Sequence, residues 1–110
     1  QAPDDQQLLQ ILAPATHRAI LSRMLRNLKG LYQQQGDWER VARTSDRQLK
    51  LSPNTPEALR DRGLAYRELG YARGARDDLS RYLQLAPEAD DVEAMRLALI
   101  DLGATPSRLN

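Results

Sequence analysis

The sequence predicts an all-α fold of tandem helical hairpins. Five residues recur at a displacement of 34 positions: Tyr32, Gly36, Leu49, Leu51 and Pro53 return as Tyr66, Gly70, Leu83, Leu85 and Pro87. Between them, apolar residues keep the spacing of three and four that one face of an α-helix requires. A period of this length is typical of stacked pairs of antiparallel helices, which serve as binding surfaces more often than as enzymes.

Length and composition limit the number of domains and the possible chemistry. The 110 residues are enough for one small domain. The 16 basic and 15 acidic residues give a net charge of +1, which argues against a nucleic-acid or anionic-membrane surface. No apolar run approaches the roughly 18 residues of a membrane span. We expect a soluble, cytoplasmic protein, with the periplasm left open because the native N-terminus is not visible.

Residues 1–14 are predicted to form a connecting helix. Two acids, Asp4 and Asp5, precede a short apolar cluster, and Pro14 is expected to interrupt the helix. The cluster matches no position of the repeat and consists of Leu8, Leu9, Ile11 and Leu12. Because the chain begins at Gln1 and not at Met, we expect a fragment in which this helix joins an upstream domain. Self-association through the same helix is an alternative.

Residues 15–54 are predicted to be the first repeat. Its first helix, from Thr16 to Gln35, carries a broad apolar stripe of Ile20, Leu21, Met24, Leu25, Leu28, Leu31 and Tyr32. Gly36 ends that helix, and Asp37 caps a second one that runs to about Leu51. The predicted inner face of the second helix comprises Trp38, Val41, Ala42, Ser45 and Leu49, and Trp38 is expected to be a major core residue.

Residues 55–89 follow the same plan as a second repeat. Thr55 is the predicted cap and Pro56 the first residue of a helix that Gly70 closes. Its inward residues are predicted to be Ala58, Leu59, Gly63, Tyr66 and Leu69. A partner helix from about Tyr71 to Leu85 is expected to bury Ala75, Leu79, Tyr82 and Leu83.

Residues 90–110 are predicted to be a capping helix and tail. The helix, from Asp90 to Leu102, has apolar residues spaced by three and four, namely Val92, Met95, Leu99 and Leu102. Stacked repeats expose an apolar side at each end. We therefore expect this helix to cover the second repeat.

The residues of the 34-residue period resemble the tetratricopeptide repeat (TPR), an α-α superhelix. The pattern departs from that repeat at Lys29, where a small residue is usual, and at Arg62, where Leu is usual. Both departures are expected to widen the local spacing between helices.

Four stretches also resemble the C-terminal region of the bacterial SirB family: RMLRNLKGLY (23–32), GDWERV (36–41), LRDRGLAYRELG (59–70) and DLSRYLQLAPEADD (78–91). Members of that family join an N-terminal transglutaminase-like domain to a short TPR tail. The resemblance implies that the papain-like Cys, His and Asp of the family lie upstream of this sequence.

No catalytic, cofactor or metal site is predicted. His17 is the only histidine and the chain has no cysteine, so neither a Cys-His pair nor a His/Cys metal site can form. The adjacent acids Asp77-Asp78 and Asp90-Asp91 point to different sides of a helix. We therefore predict that the chain is not an enzyme.

A protein-binding groove is predicted on the face opposite the buried stripe, which the TPR resemblance makes concave. Its residues are Arg23, Arg26, Asn27, Gln33, Arg60, Asp61, Leu64 and Arg67. Arg26 and Arg60 occupy equivalent positions and could present two guanidinium groups to a ligand. A merely solvated polar face is the alternative. A chaperone-type carboxylate clamp is not expected, since Gly30 and Asp61 replace two of its groove residues.

The partner is predicted to be a protein or peptide segment, which the parent protein's own N-terminal domain could supply. A second hypothesis is a regulatory or substrate-positioning tail of a peptidase-like or transglutaminase-like enzyme. A third is RNA binding through Arg18, Arg23, Arg26, Lys29 and Arg43, which the near-zero net charge disfavours. No membrane partner and no nucleic-acid partner are expected.

Overall fold

The computed structural model describes residues 14–103, with side chains from residue 17 onward. Residues 1–13 and 104–110, which include nearly all of the predicted connecting helix and the tail, lie outside the described residues. Within the described range the secondary structure is entirely α-helical, which confirms the predicted fold class. The helices are α1 (Pro14–Gln35), α2 (Trp38–Leu51), α3 (Pro56–Leu69), α4 (Ala72–Leu85) and α5 (Val92–Gly103).

The two hairpin turns have the same geometry, as the sequence period predicts. Gly36 and Gly70 adopt positive φ angles of 68° and 84°, in the left-handed region that glycine enters without steric cost. The next residue in each turn donates its backbone N–H to a tyrosine carbonyl four positions before the glycine, at 3.0 Å to Tyr32 and 2.8 Å to Tyr66. These bonds satisfy carbonyls at the helix ends. The repeat therefore includes the turns as well as the helices.

Three helix starts differ from the sequence prediction. Pro14 is the first residue of α1 and does not interrupt a helix, because a proline at this position loses no helical hydrogen bond. Thr55 precedes α3, but its hydroxyl donates to the Ser52 carbonyl at 2.8 Å and does not cap the helix. The last helix begins at Val92, two residues later than predicted. By contrast, Asp37 does cap α2, since its carboxylate accepts the Arg40 N–H at 3.3 Å.

Successive helices pack against one another along the chain, and the larger core cluster centres on α4. The α4 residues Leu79 and Tyr82 are buried in this cluster. From α5, Met95 and Leu102 are buried against the same cluster. The last helix thus covers the apolar side of α4, which is the position expected of a cap.

A smaller core cluster joins α2 to α3. Val41 and Ala42 from α2 are buried against Ala65 of α3. Trp38 packs on this cluster but is only half-buried, so the expectation of a major core residue was wrong. The reason is positional, because Trp38 is the first residue of α2 and lies at the edge of the contact between the two helices.

Ser45 offers a test of the packing between α2 and its neighbours. It is fully buried, and its Oγ has no hydrogen-bond partner. A buried hydroxyl without a partner costs free energy, whereas alanine would keep the small volume without that cost. We expect Ser45→Ala to raise the free energy of unfolding by up to about 1 kcal/mol. Urea unfolding measures this, and a loss of stability would show that the hydroxyl is bonded in solution.

Candidate protein-binding groove

A cavity of about 540 Å³ lies between α1 and α3, with the C-terminal end of α2 at its side. Four of the predicted groove residues line it, namely Arg26, Gln33, Arg60 and Asp61. The other lining residues that matter for its chemistry are Lys29 and Gln48. We call this cavity the α1–α3 groove.

An ion pair that the sequence did not predict forms the floor of the α1–α3 groove. Lys29 Nζ lies 2.7 Å from Asp61 Oδ2 and donates to Gln48 Oε1 at 2.7 Å. Lys29 and Asp61 are only 4% and 7% exposed. Asp61 was predicted to face a ligand, but the structure places its carboxylate against Lys29. The lysine occupies a small-residue position of the repeat, and this was the available signal for a buried partner.

Arg60 is already engaged by two carboxylates. Its Nε lies 3.2 Å from Asp61 Oδ1, and its Nη1 lies 3.2 Å from Asp91 Oδ2. The guanidinium also lies 5.8 Å from the centre of the Tyr82 ring. Burial alone would lower the pKa of Arg60, but the charges and hydrogen bonds of Asp61, Tyr82 and Asp91 together raise it. This arginine therefore brings little uncompensated charge to the groove.

Arg26, the equivalent residue in α1, differs from Arg60. It is exposed, lines the groove, and makes no ion pair or hydrogen bond with any residue in the described range. Gln33 is likewise exposed one to two turns further along α1. The two equivalent arginines thus have different roles, and Arg26 is the one that can meet a ligand.

The remaining predicted residues lie outside the α1–α3 groove. Arg23 and Asn27 are exposed on α1, and Leu64 is half-buried against the larger core cluster. Arg67 lines a second cavity of about 540 Å³ along α5. Leu97 and Ile100 line that second cavity too, and the sequence reasoning did not select them. Their exposed leucine and isoleucine side chains within a predicted cap were the signal.

Asp91 links the groove to α5 and gives it a dependence on pH. The hydrogen bond from the Tyr82 hydroxyl, assisted by the charge of Arg60, lowers the pKa of Asp91 below its ordinary value of 3.8. A lowered carboxyl pKa stabilises the fold above the unfolded-state value, and this stabilisation is lost as the pH falls through the folded-state value.

We therefore expect Asp91→Asn to melt at a lower temperature than wild type at about pH 6, and the difference to shrink between about pH 4 and pH 2. Thermal unfolding followed by circular dichroism measures both. The exposed neighbour Asp90 supplies the control, and Asp90→Asn should show a smaller effect. A difference that is constant with pH would contradict this assignment.

Arg62 explains the second departure from the repeat pattern. It lies in α3 and forms two hydrogen bonds with Asp78 of α4, at 2.7 and 2.8 Å. A third, to Asp46 of α2, measures 2.8 Å. The hydrogen bonds to Asp78 are the main reason that the pKa of Arg62 is raised. An arginine at this position therefore connects three helices by charge where leucine would connect them by apolar contact.

The basic residues considered for RNA binding do not form one free surface. Lys29 is buried in its ion pair, Arg18 donates to the Leu51 carbonyl at 3.1 Å, and Arg43 lies 3.7 Å from Glu39. Only Arg23 and Arg26 of that set lack a partner among the described residues. In the same range, no helix is both long and apolar enough to cross a membrane.

Comparison with known families gives one match and several relatives. The model of the tetratricopeptide repeat family matches residues 28–99. The chain is 58% identical over 102 residues to a UPF0162 protein of Xylella fastidiosa strain 9a5c, covering 93% of this chain and 36% of that protein. It is 30% identical over 95 residues to the UPF0162 protein YchA of Escherichia coli strain K12, covering 86% of this chain and 35% of that protein.

A further relative bears on the predicted resemblance. The chain is 31% identical over 85 residues to Protein SirB1 of Salmonella typhimurium, covering 77% of this chain and 32% of that protein. Homology to the UPF0162 and SirB proteins is therefore confirmed. The chain spans about a third of the length of these relatives.

Proposed function

The chain belongs to the tetratricopeptide repeat family, and on that premise we propose that it is a non-catalytic module that binds a protein segment through the α1–α3 groove. The observation that supports this most is the contrast between the groove's floor and its rim. The floor is neutralised by the pair of Lys29 with Asp61, whereas Arg26 on the rim has no partner among the described residues. A ligand can therefore gain a charge-assisted hydrogen bond at Arg26 without breaking an existing one.

The chemistry of the groove favours an extended segment with a carboxylate or carbonyl oxygen at Arg26. Gln33 and Gln48 supply amide groups nearby that can bond the backbone of such a segment. Because only one cation of the groove is uncompensated, we expect modest affinity in which hydrogen bonds contribute more than long-range attraction. The exposed part of Leu64 and the second cavity along α5 could receive an apolar side chain further along the segment.

Peptides selected from a random library against the whole chain test this proposal. We expect the selected peptides to contain an acidic residue, and Arg26→Glu to weaken their binding at least about tenfold, since attraction becomes repulsion. The matched control is Arg73→Glu, at an exposed arginine of α4 that has no partner among the described residues. Equal loss in both variants, or in neither, would count against the groove.

The source of the segment is a further part of the proposal. Because the relatives are about three times as long as this chain, the remainder of a longer bacterial protein could supply it. In that case a transglutaminase-like domain upstream would dock onto the groove, and the module would regulate that domain or position its substrate. We place both in the cytoplasm. Adding the separately expressed upstream region to the selected peptide complex would displace the peptide if this holds.

A further inference from the structure

A second surface, distinct from the groove, lies on the outer side of α1. Four large apolar side chains at spacings of four, four and three residues form it, namely Ile20, Met24, Leu28 and Leu31. All four are exposed in the structure. We call this surface the α1 end face. We propose that it docks an acidic amphipathic helix of a partner protein.

Comparison of the two repeats shows that the α1 end face occupies positions that this fold buries. Met24 is 54% exposed and Leu31 is 48% exposed. Their equivalents 34 residues later, Ala58 and Ala65, are both 0% exposed. In the second repeat the preceding hairpin covers these positions, since Ala65 packs against α2. The first repeat carries larger apolar groups there, with no preceding hairpin in the described part of the chain.

The charge of α1 indicates the chemistry of the partner. This 22-residue helix contains no aspartate or glutamate. Lys29 is neutralised by Asp61, but Arg23, close to the end face, and Arg26, on the groove side, have no partner among the described residues. An acidic flank on the docked helix would complement them. A second copy of this chain would instead bring two acid-free α1 helices together, and their arginines would repel.

The spacing of the apolar groups suits a helix as the ligand. From Ile20 to Leu31 the end face extends for about 16 Å along the axis of α1, which is three helical turns. Side chains at spacings of three and four form ridges that fit between the ridges of a second helix. A partner helix with the same spacing on one side could therefore bury all four groups at once.

Two synthetic peptides of 18 residues provide the probe. Both carry leucines at spacings of three and four, and one has glutamate on the flanks where its twin has lysine. We expect the glutamate peptide to bind the 110-residue chain at least about tenfold more tightly than the lysine peptide in fluorescence anisotropy. The preference should shrink as salt is raised, because exposed charges are screened.

Substitutions locate the binding surface. We expect Met24→Asp to weaken binding of the glutamate peptide at least about tenfold, and Arg23→Glu to remove the preference over the lysine peptide. The matched control is Leu97→Asp, at a 64% exposed leucine on the opposite end of the stack, which should leave binding unchanged. Because Met24 is itself exposed, its variant should remain folded, and circular dichroism verifies this.

Three outcomes would overturn the proposal. The first is equal binding of the two peptides, or binding that Met24→Asp does not weaken. The second is a concentration-dependent dimer in sedimentation that Met24→Asp abolishes, which would make a second copy the occupant. The third is binding that occurs only after deletion of residues 1–13, which would make that segment the occupant. None of these results involves Arg26, so the proposal for the groove would be judged separately.

Discussion

Asp61→Ala is expected to lower the free energy of unfolding by about 3–5 kcal/mol, because it leaves the ammonium of Lys29 buried without a counter-charge. Lys29 is 4% exposed, and its remaining close partner is the neutral side chain of Gln48. The loss should exceed that of any substitution of an exposed ion pair, such as the pair of Arg43 with Glu39. Urea unfolding of purified variants measures the difference.

The double variant Lys29→Met with Asp61→Ala separates the buried charge from the packing. Since methionine fills a similar volume without a charge, we expect it to recover most of the stability lost in Asp61→Ala. A loss below about 1 kcal/mol in Asp61→Ala would show that water reaches the pair. No recovery in the double variant would show that the aspartate acts through contacts other than Lys29.

Leu79→Ala is expected to lower the free energy of unfolding by about 2–5 kcal/mol, through lost apolar contacts and the cavity left behind. Leu79 is fully buried in the larger core cluster. The contact with α3 is close, because a Cβ atom added to Gly63 would lie 3.0 Å from Leu79 Cδ2. The helices therefore have little room to move inward and fill the space.

Leu97→Ala provides the matched control for the core substitution. It removes the same atoms from a leucine that is mostly exposed on α5, so the change should stay within about 0.5 kcal/mol. Chemical unfolding of both variants under the same conditions gives the comparison. Similar losses in the two variants would contradict the assignment of α4 to the centre of the core.

The repeat period predicted the features that depend on local spacing. Glycine at positions 36 and 70 predicted both turns, and the inward positions of Val41 and Leu79 followed from helical periodicity. These features depend on a residue's own helix and on a turn of known geometry, so a single sequence is enough to specify them.

The partners of the charged residues could not be predicted in the same way. Whether Arg60 faces a ligand or Asp91 depends on where α5 lies relative to α3. The burial of Asp61 depends on Lys29, which is 32 positions away and carried by another helix. The sequence placed Arg26 and Arg60 at equivalent positions, but only their surroundings in three dimensions distinguish a free arginine from an engaged one.

The central claim is that the α1–α3 groove is where a protein segment binds, and amide chemical shifts measured during titration with a selected peptide test it most directly. We expect the largest changes at Arg26, Gly30 and Gln33 of α1 and at residues 57–61 of α3, all of which line the groove or adjoin its lining. Residues of α4 around Arg73 should change little. Changes confined to the α1 end face or to the exposed side of α4, with none at Arg26 or Gly30, would contradict the claim.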